Sequence, residues 1–452
     1  MKWSLRAVAL VAAAVGAVGP VPARAEAAPA PERRAVTTMT LAQALDTALA
    51  HNPQLAIAAE TIVAADARAA SDATLRLPVV NAKANVLLWN RALIADLGPD
   101  IGMIAIRDQV TGAVELSVAQ PLSGALVIGK LVERDRAAAA ASRAQRDGLR
   151  IDVAYQTAEA YLGALQAQAL AQVAAQTLQQ LDADHQHAQA LLKAGVLQRV
   201  DVLRLEVERA RVEQQQLEAQ TAALGDRRRL ALLLGLPDGN ELALVDIDTT
   251  PPALPFDEDE AVARARRDRA DARVASANRQ VAELGVAVSR ASYFPSVSLL
   301  GVYTHTLNAG GSFGLTADSA YVGLSVEWNV WDWGKRGADV DAARAVSRQA
   351  ELSQAAAVDQ IAVEARARWQ VARTQLASLE VAARGEAAAA EAQRLLAARF
   401  AQGAATTVEV VDAETALANA RSQVAIRRFQ YLVAWMALSR GVGALPVPPG
   451  VH

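Results

Sequence analysis

The sequence has no cysteine among its 452 residues. This absence excludes a disulfide framework, a thiolate metal site and a lipid-attachment cysteine. Aromatic residues make up only 4% of the chain although 52% of it is hydrophobic, so alanine accounts for much of the apolar content and a large conventional core is not implied. The net charge of −3 provides no basic surface of the kind that binds nucleic acid.

Long apolar runs are also scarce, and the one that opens the chain has the form of a secretory signal. A basic start, an apolar run over residues 7–18 and the cleavage pattern Ala23-Arg24-Ala25 predict a removable signal peptide over residues 1–25. No later run suggests a conventional membrane-spanning helix. We therefore expect the exported chain to be either soluble or a β-barrel.

Proline is missing from two long stretches, between Pro121 and Pro237 and between Pro295 and Pro446. Both stretches are rich in helix formers, and helix interiors tolerate proline poorly, so the pattern predicts unusually long helices. A helix over residues 129–194 would be roughly 100 Å long, since each residue adds about 1.5 Å. Helices of this length are expected to pack in bundles or coiled coils.

Four short segments alternate apolar with polar residues, which is typical of strands with one apolar face. They cover residues 79–89, 111–122, 296–306 and 319–331. Their lengths of about ten residues fit the strands of a membrane β-barrel. A soluble sheet with one exposed face would explain any single segment equally well, but four segments in duplicate order behind a signal peptide favour the barrel.

Four tryptophans lie at or near the ends of these segments: Trp89, Trp328, Trp331 and Trp333. Tryptophan is enriched where a membrane meets water, so we predict that these side chains are interfacial anchors. The last segment runs into a helix-forming sequence from Gly334 onward with almost no turn. Such a junction would carry a membrane barrel directly into a long helical tube.

The same motifs recur in the same order in two halves of the chain. After each long predicted helix, a glycine is followed by one acid six residues later and another eleven residues later, at Gly195, Asp201 and Glu206 and again at Gly403, Glu409 and Glu414. Duplication is the simplest explanation. The boundaries that we predict are a flexible segment at 26–39, a first repeat at 40–236, a linker at 237–255, a second repeat at 256–443 and a tail at 444–452.

Each repeat is predicted to contain two helices, two strands, a long helix and a returning helix. Four strands cannot close a barrel, and lipid does not tolerate an open sheet edge, so the chain is expected to oligomerise. Two copies would give eight strands and a filled interior. Three copies would give twelve strands and leave room for water.

The whole pattern resembles the TolC family of outer-membrane efflux channels, from about residue 40 to residue 443. The resemblance rests on TLAQALDTALAHNPQL, on the junction WDWGKRGADVDAARA and on the turn motif GAATTVEVVDAETALANA. It implies a mostly α-helical homotrimer in the outer membrane that extends into the periplasm. Each chain would give four strands to a twelve-stranded β-barrel in the lipid and its helices to a periplasmic α-barrel.

The function that the resemblance implies is a passive channel for efflux or type I secretion. Such channels work with a periplasmic adaptor, or membrane fusion protein, and with an inner-membrane efflux pump or ABC exporter. Drugs, metal ions and secreted polypeptides all fit as cargo, because selectivity lies mainly in the pump.

The resemblance also implies which residues close the channel. The helix turns at Gly195 and Gly403 match the periplasmic tips, while Glu409 and Asp412 match acids that ring the pore constriction. These two acids are three residues apart and share a helix face, and tripled by symmetry they would favour cations. The alternative is that they merely complement the N-terminal dipole of a returning helix.

The polar latch of the best-known family member is incomplete in this sequence. Phe400 stands where that member has a tyrosine before the tip glycine, and Ala405 stands where it has an arginine. Asp201 matches the acid partner of the latch. Arg199 and Arg399 lie close to the tips in sequence and are candidate replacement partners for the acids.

Motifs of enzymes and metal sites are missing, including H-E-x-x-H, G-x-S-x-G and the P-loop. His185 and His187 are two residues apart in a predicted helix and cannot share a face. We therefore predict no catalytic residue, no cofactor and no metal. The alternative to a channel is a soluble periplasmic coiled-coil adaptor, which would have one helical hairpin and a β-rich unit rather than two hairpins that each follow a strand pair.

Overall fold

The computed structural model describes residues 36–96, 98, 102–236, 241–247, 251–307 and 317–447. The predicted signal peptide at 1–25, most of the segment at 26–39, parts of the linker and the end of the tail lie outside these residues.

Within the described residues, eight helices account for most of the chain. They are α1 (Leu41–His51), α2 (Pro53–Thr74), α3 (Ala125–Lys193), α4 (Arg199–Leu233), α5 (Glu258–Asp268), α6 (Ala270–Ala291), α7 (Lys335–Ala401) and α8 (Thr407–Gly441). The strands are β1 (Val36–Met39), β2 (Val79–Leu88), β3 (Leu93–Asp96), β4 (Met103–Arg107), β5 (Val110–Pro121), β6 (Glu241–Leu244), β7 (Ser296–Leu307) and β8 (Asp318–Glu327).

The duplicated order of elements is confirmed. The first repeat runs α1, α2, β2, β5, α3 and α4, and the second runs α5, α6, β7, β8, α7 and α8. The proline-free stretches form α3 with 69 residues and α7 with 67 residues. At about 1.5 Å per residue each of these helices is roughly 100 Å long.

The four predicted strands form one antiparallel sheet in the order β2-β5-β7-β8. Its register pairs Leu116 with Ala82 on one neighbour and with Tyr303 on the other. Since side chains alternate along a strand, the apolar positions of β2 and β5 share one face of the sheet. β2 and β8 are the outer strands of this sheet, so among the described residues each has one edge without a strand partner.

Two further pairs of strands were not recognised in the sequence. β3 and β4 form a hairpin within the connection between β2 and β5. β1 pairs in parallel with β6, which joins the predicted N-terminal segment to the predicted linker. These strands are only four or five residues long, so the alternation is too brief to identify them.

A buried tyrosine holds the small β1–β6 sheet against α3. The Tyr161 hydroxyl lies 3.0 Å from the carbonyl oxygen of Met39 and 2.7 Å from that of Val245, and it donates to these acceptors. The side chain is fully buried, and burial raises the pKa of its phenol to about 12. The main core cluster surrounds this point and includes residues of α1, α3, α4 and α8.

Aromatic donors on the helices of the second repeat bind the end of the linker and Phe256, the residue that follows it. Trp369 Nε1 donates to the carbonyl oxygen of Phe256 at 3.0 Å, and Trp435 Nε1 donates to that of Ala253 at 3.3 Å. The Tyr431 hydroxyl donates to the carbonyl oxygen of Pro252. A proline-rich segment has few N–H groups of its own, so its carbonyl groups are natural acceptors for these side chains.

Two glycines show how closely the repeats match. Gly235 after α4 and Gly443 after α8 both have left-handed φ angles, of 68° and 82°. A Cβ atom at Gly235 would lie 2.9 Å from the carbonyl oxygen of His51, and one at Gly443 would lie 2.9 Å from that of Asp268. Each returning helix therefore ends directly against the joint of its own repeat's first two helices.

The junction between the last strand and α7 differs in detail from the prediction. β8 ends at Glu327, and residues 328–334 form an irregular connection instead of continued strand. Trp333 and Gly334 both have left-handed φ angles, of 57° and 85°. Asp332 organises this connection, since its carboxylate accepts hydrogen bonds from the backbone N–H groups of Gly334 and Arg336. The prediction of a strand that reaches the tryptophans was therefore wrong, although the connection is short.

No helix in the described part of the chain combines the length and apolar character needed to cross a membrane.

Candidate functional site

Two helical hairpins end in matching turns, one between α3 and α4 and one between α7 and α8. Gly195 and Gly403 occupy these turns with left-handed φ angles of 73° and 70°, the conformation that ends helices at a C′ glycine. The N–H of Val196 donates to Leu191 and that of Ala404 donates to Arg399. Both residues predicted as tips therefore lie at the ends of hairpins.

The acid six residues after each tip glycine forms a capping box. Glu409 Oε2 accepts hydrogen bonds from the backbone N–H of Thr406 at 2.7 Å and from its hydroxyl at 2.9 Å. In the first repeat, Asp201 Oδ2 accepts from the N–H of Gln198 at 3.1 Å. The repeated spacing thus places a carboxylate where it accepts from a backbone N–H group that has no partner within the returning helix.

These hydrogen bonds favour the ionised form of Glu409. The backbone N–H of Thr406, followed by its hydroxyl, holds the pKa of Glu409 below its ordinary value, and the charge of Arg399 acts in the same direction. Arg399 itself donates from Nη2 to the carbonyl oxygen of Ala404 at 3.2 Å. Arg399, which was predicted as a replacement partner for the acids, therefore stabilises the turn within its own chain.

An open groove of about 520 Å³ runs between α4 and α8 next to the tips. We call it the tip groove, and its lining residues are Val200, Leu203, Arg204, Val207, Glu208, Val408, Val411 and Asp412. Its apolar residues are largely exposed, as shown by Val207 at 71% and Val200 at 47%. Asp412, predicted at the pore constriction, is exposed on the charged border of this groove.

Phe400 does not stand free at the tip. It is only 5% exposed and packs edge-on against the ring of His187, with 5.6 Å between ring centroids. This contact joins the end of α7 to α3 of the other hairpin. Phe400 therefore makes an apolar contact between the two hairpins.

Two carboxyl groups at the contact between the hairpins were not predicted as site residues. Glu414 on α8 is only 4% exposed and accepts a hydrogen bond of 2.6 Å from Gln393 on α7. Burial, together with the charge of Asp184 on α3, raises the pKa of Glu414. Burial also raises the pKa of Asp184. The repeated spacing identified Glu414, but it could not show that this side chain is buried, because its burial depends on the helices that pack against α8.

The four tryptophans lie at both ends of the sheet. Trp89 follows β2 at the end with the β3–β4 hairpin, where the Arg107 guanidinium lies 3.6 Å above its ring. Trp328, Trp331 and Trp333 follow β8 at the opposite end, next to α7. Trp331 and Trp333 are 71% and 88% exposed. The sheet thus has tryptophan side chains at both ends, and their role as interfacial anchors stays a prediction.

α3 packs against α2, α4, α6 and α8, and α7 packs against α5, α6 and α8. α2, α4 and α7 all retain exposed apolar side chains. Exposed apolar residues on them are Ile57, Val63, Leu217, Leu224, Val346, Leu352, Val363, Val371 and Val381.

The described residues contain no group of three potential ligands that could hold a metal ion. The two histidines of the predicted pair have different neighbours, because His185 Nε2 lies 3.3 Å from Glu206 while His187 contacts Phe400. The adaptor alternative predicted a single helical hairpin, whereas two hairpins are present and each follows a strand pair.

Residues 44–236 and 261–444 match the outer membrane efflux protein family. No curated protein is similar enough in sequence to count as a match. Among solved structures, the outer-membrane channel OprN is 24% identical, with 90% of this chain and 91% of that chain covered and a TM-score of 0.75.

Two further structures show the same fold at lower sequence identity. The outer membrane protein VceC from Vibrio cholerae is 17% identical, with 89% and 96% of the two chains covered and a TM-score of 0.74. The CmeC outer membrane channel of Campylobacter jejuni is 15% identical, with 89% and 85% covered and a TM-score of 0.76.

Proposed function

The chain belongs to the outer membrane efflux protein family, whose members are outer-membrane channels of efflux systems, and from this premise we propose that it is a passive, trimeric duct. It receives cargo from an inner-membrane efflux pump or ABC exporter through a periplasmic adaptor. The energy for transport comes from the inner-membrane partner, and the chain itself provides the path across the outer membrane.

The observation that carries this proposal is a four-stranded sheet with two unpaired edges, β2 and β8. An unpaired backbone group in lipid costs several kcal/mol, so edges of about ten residues must find partners there. Pairing β8 of one copy with β2 of the next closes the sheet. Three copies give twelve strands, which is wide enough for a water-filled interior.

The helices support the same assembly. α2, α4 and α7 all carry exposed apolar side chains. When β8 meets the β2 of the next copy, α7 comes next to α2 and α4 of that copy. Burying these side chains, at roughly 25 cal/mol per Å² of apolar surface, stabilises a helical tube below the barrel.

The tips provide the closed end and the docking surface in this proposal. Glu409 and Asp412 of three copies form an acidic ring at the constriction, with Gly195, Gly403, Asp201 and Phe400 shaping the turns around it. The capping hydrogen bonds of Glu409 favour its ionised form, which suits a cation-selective ring. The tip groove has an apolar floor with charged borders, which fits an amphipathic helical hairpin of the adaptor.

Planar-bilayer recording on the detergent-extracted chain, with its oligomer mass measured in the same sample, tests the proposal. A trimer that gives small, cation-selective and rarely opening channels is the expected result. A monomer that remains in solution without detergent and gives no conductance would overturn it, and the adaptor alternative would then replace the channel.

A further inference from the structure

A small polar cavity lies far from the tips, where α5 passes into α6 and both approach α3, α7 and α8. Its volume is about 200 Å³. Three arginines from three different elements line it: Arg269 at the joint of α5 and α6, Arg368 on α7 and Arg440 on α8. We call it the arginine cavity.

Two of the three arginines are held by close carboxylates. Arg269 Nη1 donates to Glu364 Oε2 at 2.7 Å, and its Nη2 donates to Asp271. Arg440 Nε donates to Asp152 Oδ1 at 2.6 Å. Asp152 and Asp271 also line the cavity, and each of these ion pairs uses one oxygen of its carboxylate.

Arg368 has the longest of these ion pairs. Its Nη2 lies 3.5 Å from Glu364 Oε2, the same oxygen that accepts the shorter hydrogen bond from Arg269. Among the residues that the structure describes, no acceptor reaches its Nε or Nη1. Burial lowers the pKa of Arg368, and the charges of Arg269 and Arg440 lower it further. The charge of Glu364 acts in the opposite direction, but Arg368 shares this carboxylate with Arg269.

The backbone adds to the positive potential of the cavity. α6 begins at Ala270, which lines the cavity, and no side chain caps this 22-residue helix. Its first N–H groups and the positive end of its dipole therefore favour a negative charge at this position. Arg368 also lies against Gly441, where a Cβ atom would come within 2.8 Å of Arg368 Cδ. The missing side chain leaves room for the guanidinium.

We propose that the arginine cavity binds a small free oxyanion of the phosphate class. Arg368 supplies uncommitted donors in a planar fork, the geometry that arginine uses for phosphate. A volume of about 200 Å³ corresponds to roughly six or seven water molecules at about 30 Å³ each, which suits a five-atom ion but not a nucleotide or a lipid. A bound anion would tie α7 to the joint of α5 and α6.

Isothermal titration calorimetry with inorganic phosphate, on the detergent-purified full chain at constant ionic strength, tests this proposal. The variants are R368Q, which removes the free guanidinium, and R373Q as the matched control. Arg373 lies on the same helix, over the ring of Trp369, and outside the cavity. We expect saturable binding to the unmodified chain, at least about tenfold weaker binding to R368Q, and an unchanged affinity in R373Q.

A third variant, R368K, keeps the positive charge but loses the planar guanidinium group. Its affinity for phosphate should therefore fall between those of R368Q and R373Q. It also keeps the test decisive if R368Q does not fold. The absence of saturable binding, or equal affinities of R368K and the unmodified chain, would overturn the proposal. Tighter binding of glycerol 3-phosphate than of phosphate would overturn the assignment to a free ion. None of these readouts depends on channel activity.

Discussion

Glu409 is expected to have two roles, and different substitutions can separate them. Its carboxylate caps α8 through Thr406, and in the proposed trimer its charge lies at the constriction. Glu409→Gln keeps an oxygen that can accept from the Thr406 N–H, because glutamine also serves in capping boxes, but it removes the charge. Thr406→Ala removes the capping hydroxyl and leaves the charge in place.

The expected magnitudes follow from these contacts. Loss of the Thr406 hydroxyl should cost about 1 kcal/mol of local helix stability, or roughly a fivefold increase in opening of the first turn. Glu409→Gln should leave that turn protected but reduce the ring from six carboxylates to three, which lowers the preference for cations. Asp412→Asn should lower the preference similarly, without any effect on the cap.

Two measurements distinguish these effects. Reversal potentials in a salt gradient report ion selectivity, and hydrogen exchange of residues 406–412 reports the cap. If Glu409→Gln leaves the reversal potential unchanged while its α8 turn remains protected, Glu409 is not at the pore and acts only as a cap. Because hydrogen bonds depress the pKa of Glu409, its contribution to the cap should be complete above its ordinary pKa and should disappear as the pH falls through the lowered value.

Three other predictions concern stability. Burial raises the pKa of Glu414, so its ionisation destabilises the fold, and Glu414→Gln should raise the melting temperature at pH 7. This gain should disappear as the pH falls from the raised pKa towards the ordinary pKa of glutamate. An equal gain at all pH values would contradict the prediction. Gly443→Ala should lower the free energy of unfolding by at least roughly 1–2 kcal/mol, because Gly443 has a left-handed φ and lies close to the carbonyl group of Asp268. The control Gly285→Ala, where no atom lies near the added Cβ, should not lower it in denaturant unfolding. Tyr161→Phe should cost roughly 1–2 kcal/mol and expose β1 to hydrogen exchange; unchanged protection of β1 would refute its role.

Much of the architecture could be predicted because its causes are local. The absence of proline predicted α3 and α7, two-residue alternation predicted β2, β5, β7 and β8, and repeated motifs predicted the duplication. The turns at Gly195 and Gly403 could be predicted for the same reason, since a left-handed glycine ends a helix wherever that helix lies. The capping box of Glu409 was foreseen only as a dipole effect, but it too depends on a residue just three positions away.

Other features depend on residues far apart in the chain, and only the tertiary structure decided them. The burial of Glu414 requires α3 and α7 beside α8, and the contact of Phe400 with His187 requires the two hairpins to lie together. β8 ends at Glu327, before the apolar alternation ends, because its partner strand β7 begins at the paired residue Ser296. The arginine cavity gathers side chains from three elements, so no short pattern could reveal it. The sequence by itself determined where helices, strands and turns occur, whereas packing determined which charges are buried, paired or left without a partner, because burial and charge pairing arise only when distant elements meet.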